Sequence, residues 1–279
     1  MAMILLASFP KSGNTWLRMV LSNLLYADEA PVSINDIRVG SFKGDRREQF
    51  DQISPWSAGD LSQAQIDCLL PEYYRELVTR QPAPVYLKTH DMMRRNADGE
   101  WIFPGDCVQA AIHIVRHPLD VLPSYAKHFG LDQARALERL LTPSQIVKHP
   151  TRDKRLVPEQ QGCWADHTRS WRDPNLPFPV HFARYEDLRH DPQAEFGRLL
   201  RAIGMEFSEE ALATALTHSR LEVLQQQEQT LGFRERFDTS SAPFFGSGKV
   251  GGGKTEVAQP LAQRLLGELR PLLDELGYA

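Results

Sequence analysis

The sequence predicts an α/β fold, with a central parallel sheet flanked by helices in a single domain spanning residues 1–279. Three observations predict it. Four short apolar runs, Met3–Ser8, Val85–Lys88, Ala110–Val115 and Val180–Ala183, each end in polar residues. Amphipathic stretches with helical spacing lie between them, and strands that alternate with helices make a parallel sheet. A tight polar turn, Pro10–Trp16, joins the first apolar run to the first helical one, which makes the domain P-loop-like in its opening unit.

In chain order, Met3–Ser8 reads as a buried strand and Leu17, Val20, Leu21, Leu24 and Leu25 as one face of the helix that follows. The turn between them directs backbone N–H groups and a helix N-terminus at one point, a natural seat for phosphate. Lys11 adds a cation, and Ser12, Gly13, Asn14, Thr15 and Trp16 complete the turn. Its lysine precedes its glycine, so it is not the usual GxxxxGK[ST]. Residues 40–60 and 142–160 are polar and broken by Pro and Gly, and are expected to be loops or covers. The strand Val85–Lys88 runs into Lys88-Thr89-His90. His90 is a candidate general base, and Lys88, two residues earlier on the same face, a candidate charge stabiliser; the plain alternative is a surface histidine.

The strand Ala110–Val115 ends in Arg116-His117-Pro118. Pro118 suits a first helical position, and Ser124 then falls on that helix near the same strand end. An arginine and a hydroxyl converging there suit a second phosphate; the alternative is an ion pair of Arg116 with Asp120 or another carboxylate. After Val180–Ala183 come Arg184 and Tyr185, the latter a candidate to pack on a purine, while Glu186 and Asp187 read as helix caps. Helical faces recur at Glu195–Ile203 and Leu261–Leu276. In parallel sheets ligands bind beyond the C-terminal strand ends, where Lys11, Lys88, His90, Arg116 and Tyr185 all fall.

The net charge of −4 argues against general nucleic-acid binding, so an anion site has to be built locally. Three widely spaced cysteines without a CxxC pair give no zinc or dithiol motif. No apolar run is long enough for a membrane span, and the N-terminal run is short for a secretion signal without a basic flank. The expectation is a cytoplasmic protein with no metal, no nucleic-acid partner and no membrane partner. One segment misleads: Gly248–Thr255 satisfies GxxxxGK[ST] letter for letter, but no buried strand precedes it and little chain follows it. A flexible Gly/Lys loop over an anion suits residues 238–255 better.

Taken together, these residues resemble the sulfotransferases that use 3′-phosphoadenosine 5′-phosphosulfate (PAPS). Pro10–Trp16 is similar to that family's PKSGTTW loop, with Asn14 for a threonine. Lys88–His90 resembles its KTH segment, and Arg116 with Ser124 its 3′-phosphate pair. Trp164, His167 and Trp171 resemble its W-x-x-H-x-x-x-W helix, and Tyr185–Leu188 its YEDL turn. The resemblance implies sulfuryl transfer from PAPS to a hydroxyl of a small-molecule acceptor, leaving adenosine 3′,5′-bisphosphate (PAP). His90 would be the base, with Lys11 and Lys88 stabilising charge. It implies donor contacts from the Lys11–Trp16 loop, Arg116, Ser124, Tyr185, Ser219, Gly248 and Lys249. Departures exist. Gly246 and Ser247 replace the family's C-terminal Arg-Lys, leaving Lys249, Arg234 or Arg236 to replace a guanidinium. Leu221 stands where an adenine-stacking phenylalanine is common. The family's dimer motif is not intact around Lys254–Val257, so the oligomeric state stays open. A kinase or nucleotidase built on residues 248–255, and a non-catalytic nucleotide-binding protein, are the competing readings. Residues 28–84 and 127–165 are expected to shape the acceptor pocket, with Trp56, Tyr73, Tyr74, Trp101, Phe103 and Phe129 as candidate lining or core residues.

Overall fold

The computed structural model describes residues 2–40, 47–81, 84–143, 146–147, 157–236, 240 and 242–278. The first strand, β1 (Met3–Ser8), is buried along its whole length. It accepts β2 (Val85–Thr89) on one side and β3 (Val108–Val115) on the other, and β6 (Val180–Arg184) extends the sheet beyond β3. All four are parallel and ordered β2-β1-β3-β6. Burial on both faces explains why the central strands read as continuous apolar runs rather than alternating ones. Met3, Leu5 and Ala7 face one core layer, Ile4 and Leu6 the other.

Helix α1 (Asn14–Tyr26) packs below the second layer with α8 (Pro192–Ala202) and α9 (Glu209–His218). Residues expected to be loop at 40–60 instead hold α2 (Arg47–Ile53) and a 3-10 turn (Ala58–Asp60), with 41–46 outside the described residues. Only Phe50 of α2 is buried, so the sequence carries too little periodicity to reveal it. Helix α3 (Gln63–Thr79) starts at a capping box formed by Ser62 and Gln65 and covers the first layer. Tyr73, Tyr74 and Phe103 belong to that layer.

Helix α4 (Pro118–Phe129) follows β3 directly. Pro118 occupies the first turn, the His117 side chain accepts from Leu119 N–H, and Gly130 closes the other end in a left-handed conformation. Next come α5 (Gln133–Leu141) and a two-stranded antiparallel pair, β4 (Ile146–Val147) with β5 (Glu159–Gln160). The expected loop at 142–160 therefore carries one paired strap, residues 144–145 and 148–156 lying outside the described ones. Helices α6 (Trp164–Ser170), α7 (Tyr185–His190), α10 (Leu221–Leu231), α11 (Gly253–Glu256) and α12 (Gln259–Glu275) complete the chain. The two expected late helices appear with starts two to three residues earlier, at Pro192 and Gln259, because proline at the first turn extends each.

His113 on β3 is fully buried against Trp171 (ring centroids 5.8 Å) and His167 (5.3 Å). Neither ring nitrogen of His113 finds a hydrogen-bond partner among the described residues. Burial pushes the pKa of His113 well below the usual histidine value and that of His167 to about 3. Both are neutral in the folded chain, whereas the unfolded chain takes up their protons below about pH 6.5. Stability is therefore full above that pH and declines as the pH falls toward the folded values. Urea unfolding at pH 7, 6 and 5 should show this acid limb. His113→Phe should flatten it by about one proton, about 1.4 kcal/mol per pH unit at most; an unchanged slope would count against the assignment.

Candidate active site

The C-terminal ends of all four parallel strands open into one cleft of about 1110 Å³. Lys11, Gly13, Asn14, Thr15, Trp16, Lys88, His90, Arg116, Ser124, Tyr185, Ser219, Gly248 and Lys249 all line it. Ser12 does not. It is fully buried, with a hydroxyl that has no partner among the described residues.

The turn after β1 is tightly specified. Lys11 is the one described non-glycine residue with positive φ, 69°. Gly13, at φ 108°, has no room for a side chain, since a Cβ there would sit 2.8 Å from the Tyr185 ring. Asn14 Nδ2 donates to Leu6 carbonyl at 2.8 Å and ties the helix start to β1. Lys11 Nζ reaches Phe244 carbonyl at 3.5 Å and lies 3.8 Å above its ring. Burial, assisted by the neighbouring Arg116 and Lys88 charges and opposed by Glu228, lowers the Lys11 pKa to about 7.

Arg116 donates to Lys11 carbonyl at 3.4 Å and Lys249 carbonyl at 3.0 Å, and its guanidinium lies 4.4 Å from the Tyr185 ring centre. Its buried Nε has no partner among the described residues. The ion pair with Asp120, the plain alternative for Arg116, does not form. Asp120 instead accepts from Gly251 N–H and Gly253 N–H, both at 2.7 Å. Tyr185 packs on Gly13 and Arg116, meets Trp16 edge-on at 6.0 Å, and donates to Gly248 carbonyl at 3.0 Å. Its ring is thus a support for the loop. Ser219 Oγ accepts from Asn23 Nδ2 at 3.0 Å.

His90 follows β2 with its Nδ1 2.7 Å from Ser8 carbonyl. A carbonyl only accepts, so Nδ1 carries the proton and Nε2 keeps its lone pair. Burial, followed by the Lys88 charge, holds its pKa well below the usual value. Its backbone N–H donates to Glu159 Oε1 at 2.8 Å.

Several residues in or beside the cleft were not singled out from sequence. Arg189, one turn beyond Tyr185, lies 5.5 Å from the Trp16 ring centre. Glu228 accepts from Phe244 and Phe245 N–H at 2.6 and 2.9 Å and holds the segment that meets Lys11. Glu159 and Gln161 line the cleft beside His90. A glutamate or glutamine in a polar stretch carries no local signal of such roles. Of the possible replacements for the missing guanidinium, Arg234 lines the cleft, Lys249 is an exposed lining residue, and Arg236 donates to Ser240 carbonyl. Leu221 also lines the cleft. Among the candidate aromatic residues only Phe129 does, while Trp56 is 63% exposed and is not part of the lining.

Residues 248–255 are not a strand–loop–helix unit. Among the described residues no strand directly precedes them, and α11 is four residues long. Among the described residues no group of His, Cys, Asp or Glu is placed to hold a metal, and no helix is long and apolar enough to cross a membrane.

The family model of the sulfotransferase domain matches residues 2–266. Sulfotransferase 1 family member D1 of Mus musculus is 24% identical over 264 residues, covering 92% of this chain and 79% of the relative. Sulfotransferase 1B1 of Mus musculus is 24% identical over 258 residues, covering 90% and 76%. Retinol dehydratase in a complex with retinol and PAP shares the fold with a TM-score of 0.58 at 18% identity, covering 97% of this chain and 81% of that one. Mouse sulfotransferase SULT7A1 complexed with PAP does so with a TM-score of 0.57 at 18% identity, covering 99% and 88%. The chain belongs to the sulfotransferase family.

The loop that closes the cleft depends on Gly253, where a Cβ would collide with the Leu119 carbonyl. Gly253→Ala should cost about 1–3 kcal/mol, read as a melting temperature lowered by several degrees. A variant that melts with the parent would show that the loop is not seated on α4 in this way.

Proposed function

We propose that this sulfotransferase moves a sulfuryl group from PAPS to a hydroxyl of a small-molecule acceptor, with His90 as general base. One observation carries the proposal: His90 stands at the cleft with Nδ1–H committed to Ser8 carbonyl and Nε2 left to accept a proton. We treat residues 1–279 as one domain, because strands from residue 3 to 184 share one sheet and the later helices pack on it.

The fit to a doubly anionic donor rests on the cations. Lys11 and Arg116 contact carbonyls and rings, and neither forms an ion pair among the described residues. The buried, unpartnered Nε of Arg116 favours an anion as its missing acceptor. In this reading the turn Lys11–Trp16 holds the 5′-phosphosulfate. Arg116 and Ser124 hold the 3′-phosphate, aided by Lys249, and Tyr185, Ser219 and Gly248 shape the nucleoside side. PAPS supplies the activated sulfuryl group. His90 Nε2 takes the proton of the acceptor hydroxyl as its oxygen bonds to sulfur and the bond from sulfur to the phosphate oxygen breaks, leaving PAP. Lys11 and Lys88 balance charge on the transferring and leaving oxygens, so positioning and electrostatics supply the catalysis. Cys68, Cys107 and Cys163 are free thiols, which suits the reducing cytoplasm.

PAP should raise the melting temperature more than ATP with Mg²⁺ does; the reverse preference would overturn the donor assignment. His90→Ala should lower kcat by about 10²-fold or more with PAP affinity little changed, and near-normal turnover would remove His90 from the base role. Because Lys11 titrates near pH 7 when the cleft lacks an anion, binding PAP should raise its pKa and draw in a proton. PAP affinity should then weaken as the pH rises through 7 to 8, and calorimetry in buffers of different ionisation enthalpy should report net proton uptake, absent in Lys11→Met.

A further inference from the structure

We propose that Tyr278 is a positioning residue for the donor's 3′-phosphate, acting through Glu186 and the His117 amide to fix the backbone on which Arg116 stands. The inference rests on the donor reading above, in which Arg116 meets that phosphate, and deepens it. Tyr278 is not part of the cleft lining, so its influence on the donor runs through this chain of contacts.

A turn at the end of α12 brings Tyr278 to the site. Gly277 takes φ 71°, its N–H donates to Asp274 carbonyl at 3.2 Å, and Tyr278 N–H reaches back to Leu273 carbonyl at 2.9 Å. These are the two bonds of a Schellman cap, and Tyr278 packs in the same core layer as Leu273, the apolar contact that accompanies such a cap. The turn is docked on β6. Arg184 donates to Gly277 carbonyl at 2.8 Å while its other nitrogens hold both oxygens of Asp187 at 2.8 Å. Arg184 is the register partner of Val115, so the reversal at Gly277 delivers the Tyr278 side chain to the end of β3.

There it meets the two peptide groups that flank Arg116. The hydroxyl donates to Glu186 Oε2 at 2.7 Å, with Val115 carbonyl 3.5 Å away. Glu186 Oε1 accepts from His117 N–H at 3.0 Å, and Arg116 carbonyl accepts from Trp164 Nε1 at 3.2 Å. The Tyr278 ring also stands edge-on to the His117 ring, 5.1 Å between centres. Burial, followed by the Glu186 charge, raises the Tyr278 pKa, so the hydroxyl stays a donor. Two donors on two oxygens fix the plane of the Glu186 carboxylate, and that plane fixes the His117 amide.

The consequence falls on Arg116. Its guanidinium is held at the cleft by the carbonyls of Lys11 and Lys249, both in loops, so its aim also depends on where its backbone stands. A guanidinium fork pairs phosphate oxygens in a set geometry, and a group that is slightly misplaced loses much of its effect. Removing the Tyr278 hydroxyl frees one end of Glu186 and loosens the turn at Arg116 while leaving every residue of the cleft in place.

Calorimetry tests this by comparing PAP with adenosine 5′-phosphate, which lacks the 3′-phosphate. The proteins are the parent chain, Tyr278→Phe, Arg116→Met and the double variant. Tyr278→Phe keeps the ring and should weaken PAP by about fivefold or more, part of what a hydrogen bond to a charged group supplies, with adenosine 5′-phosphate changed by less than about twofold. In the Arg116→Met background the same substitution should change PAP affinity by less than about twofold, since the two residues act as a unit. A purely structural tyrosine would weaken both nucleotides alike, with or without Arg116. Equal losses for the two nucleotides, unchanged PAP affinity in Tyr278→Phe, or an undiminished effect in the Arg116→Met background would each overturn the inference. If Arg116→Met leaves the preference for PAP over adenosine 5′-phosphate intact, the assignment of Arg116 to the 3′-phosphate falls instead, and the inference with it.

Discussion

The structure depends on keeping positive charge at the strand ends without carboxylates to neutralise it. Lys11 and Arg116 sit at the mouth of a parallel sheet, and their partners are carbonyls and aromatic rings. The acids close to them bind backbone N–H groups instead. Asp120 takes Gly251 and Gly253, Glu228 takes Phe244 and Phe245, Glu186 takes His117, and Glu159 takes His90. Each carboxylate fixes a loop and leaves a cation uncompensated. The contrast within the same cleft is Arg18, whose guanidinium forms a bidentate pair with Glu235 at 2.8 and 2.9 Å. Arg18 is held by a carboxylate, while Arg116 is held by carbonyls and an aromatic ring.

Charge left uncompensated in a partly dry cleft is costly, and the chain relieves that cost in two ways. Lys11 gives up much of its proton affinity, with a pKa near 7. Aromatic faces supply a weak countercharge, Phe244 under Lys11 and Tyr185 under Arg116. An arriving polyanion replaces both palliatives with full ion pairing, so part of the binding energy is built into the unliganded cleft. The same low-dielectric surroundings keep His90 neutral, which is the state a base requires.

The central strands β1 and β3 were legible because they are buried on both faces, and the turn Pro10–Trp16 because its cation, glycine and hydroxyls are contiguous. Helix α2 was hidden because one buried residue, Phe50, is too little to mark a period. Arg116 was legible as a residue but ambiguous in role, since its alternative partner Asp120 stands only four positions away. What removes Asp120 as its partner is a contact between Asp120 and Gly253, 133 positions apart, which no local pattern encodes. Ser12 and Tyr185 are placed by contacts that the sequence does not show: the Ser12 side chain is fully buried, and the Tyr185 ring packs on Gly13, Arg116 and Trp16.

The glycines of residues 248–253 show why a pattern match needs its context. In a phosphate-binding loop they would let the backbone wrap an anion. Here three of the four, Gly248, Gly251 and Gly253, answer to a constraint from the protein. Gly248 and Gly251 adopt positive φ, 58° and 76°, where glycine has no steric penalty. Gly248 also lies beneath Leu221 and the Tyr185 hydroxyl, and Gly253 lies against the Leu119 carbonyl. The amides of Gly251 and Gly253, which a phosphate would need, are already taken by Asp120. The segment therefore has the spacing of a phosphate loop while its backbone donors serve to seat it on α4. There its neighbour Lys249 offers a carbonyl to Arg116 and fixes the guanidinium at the cleft.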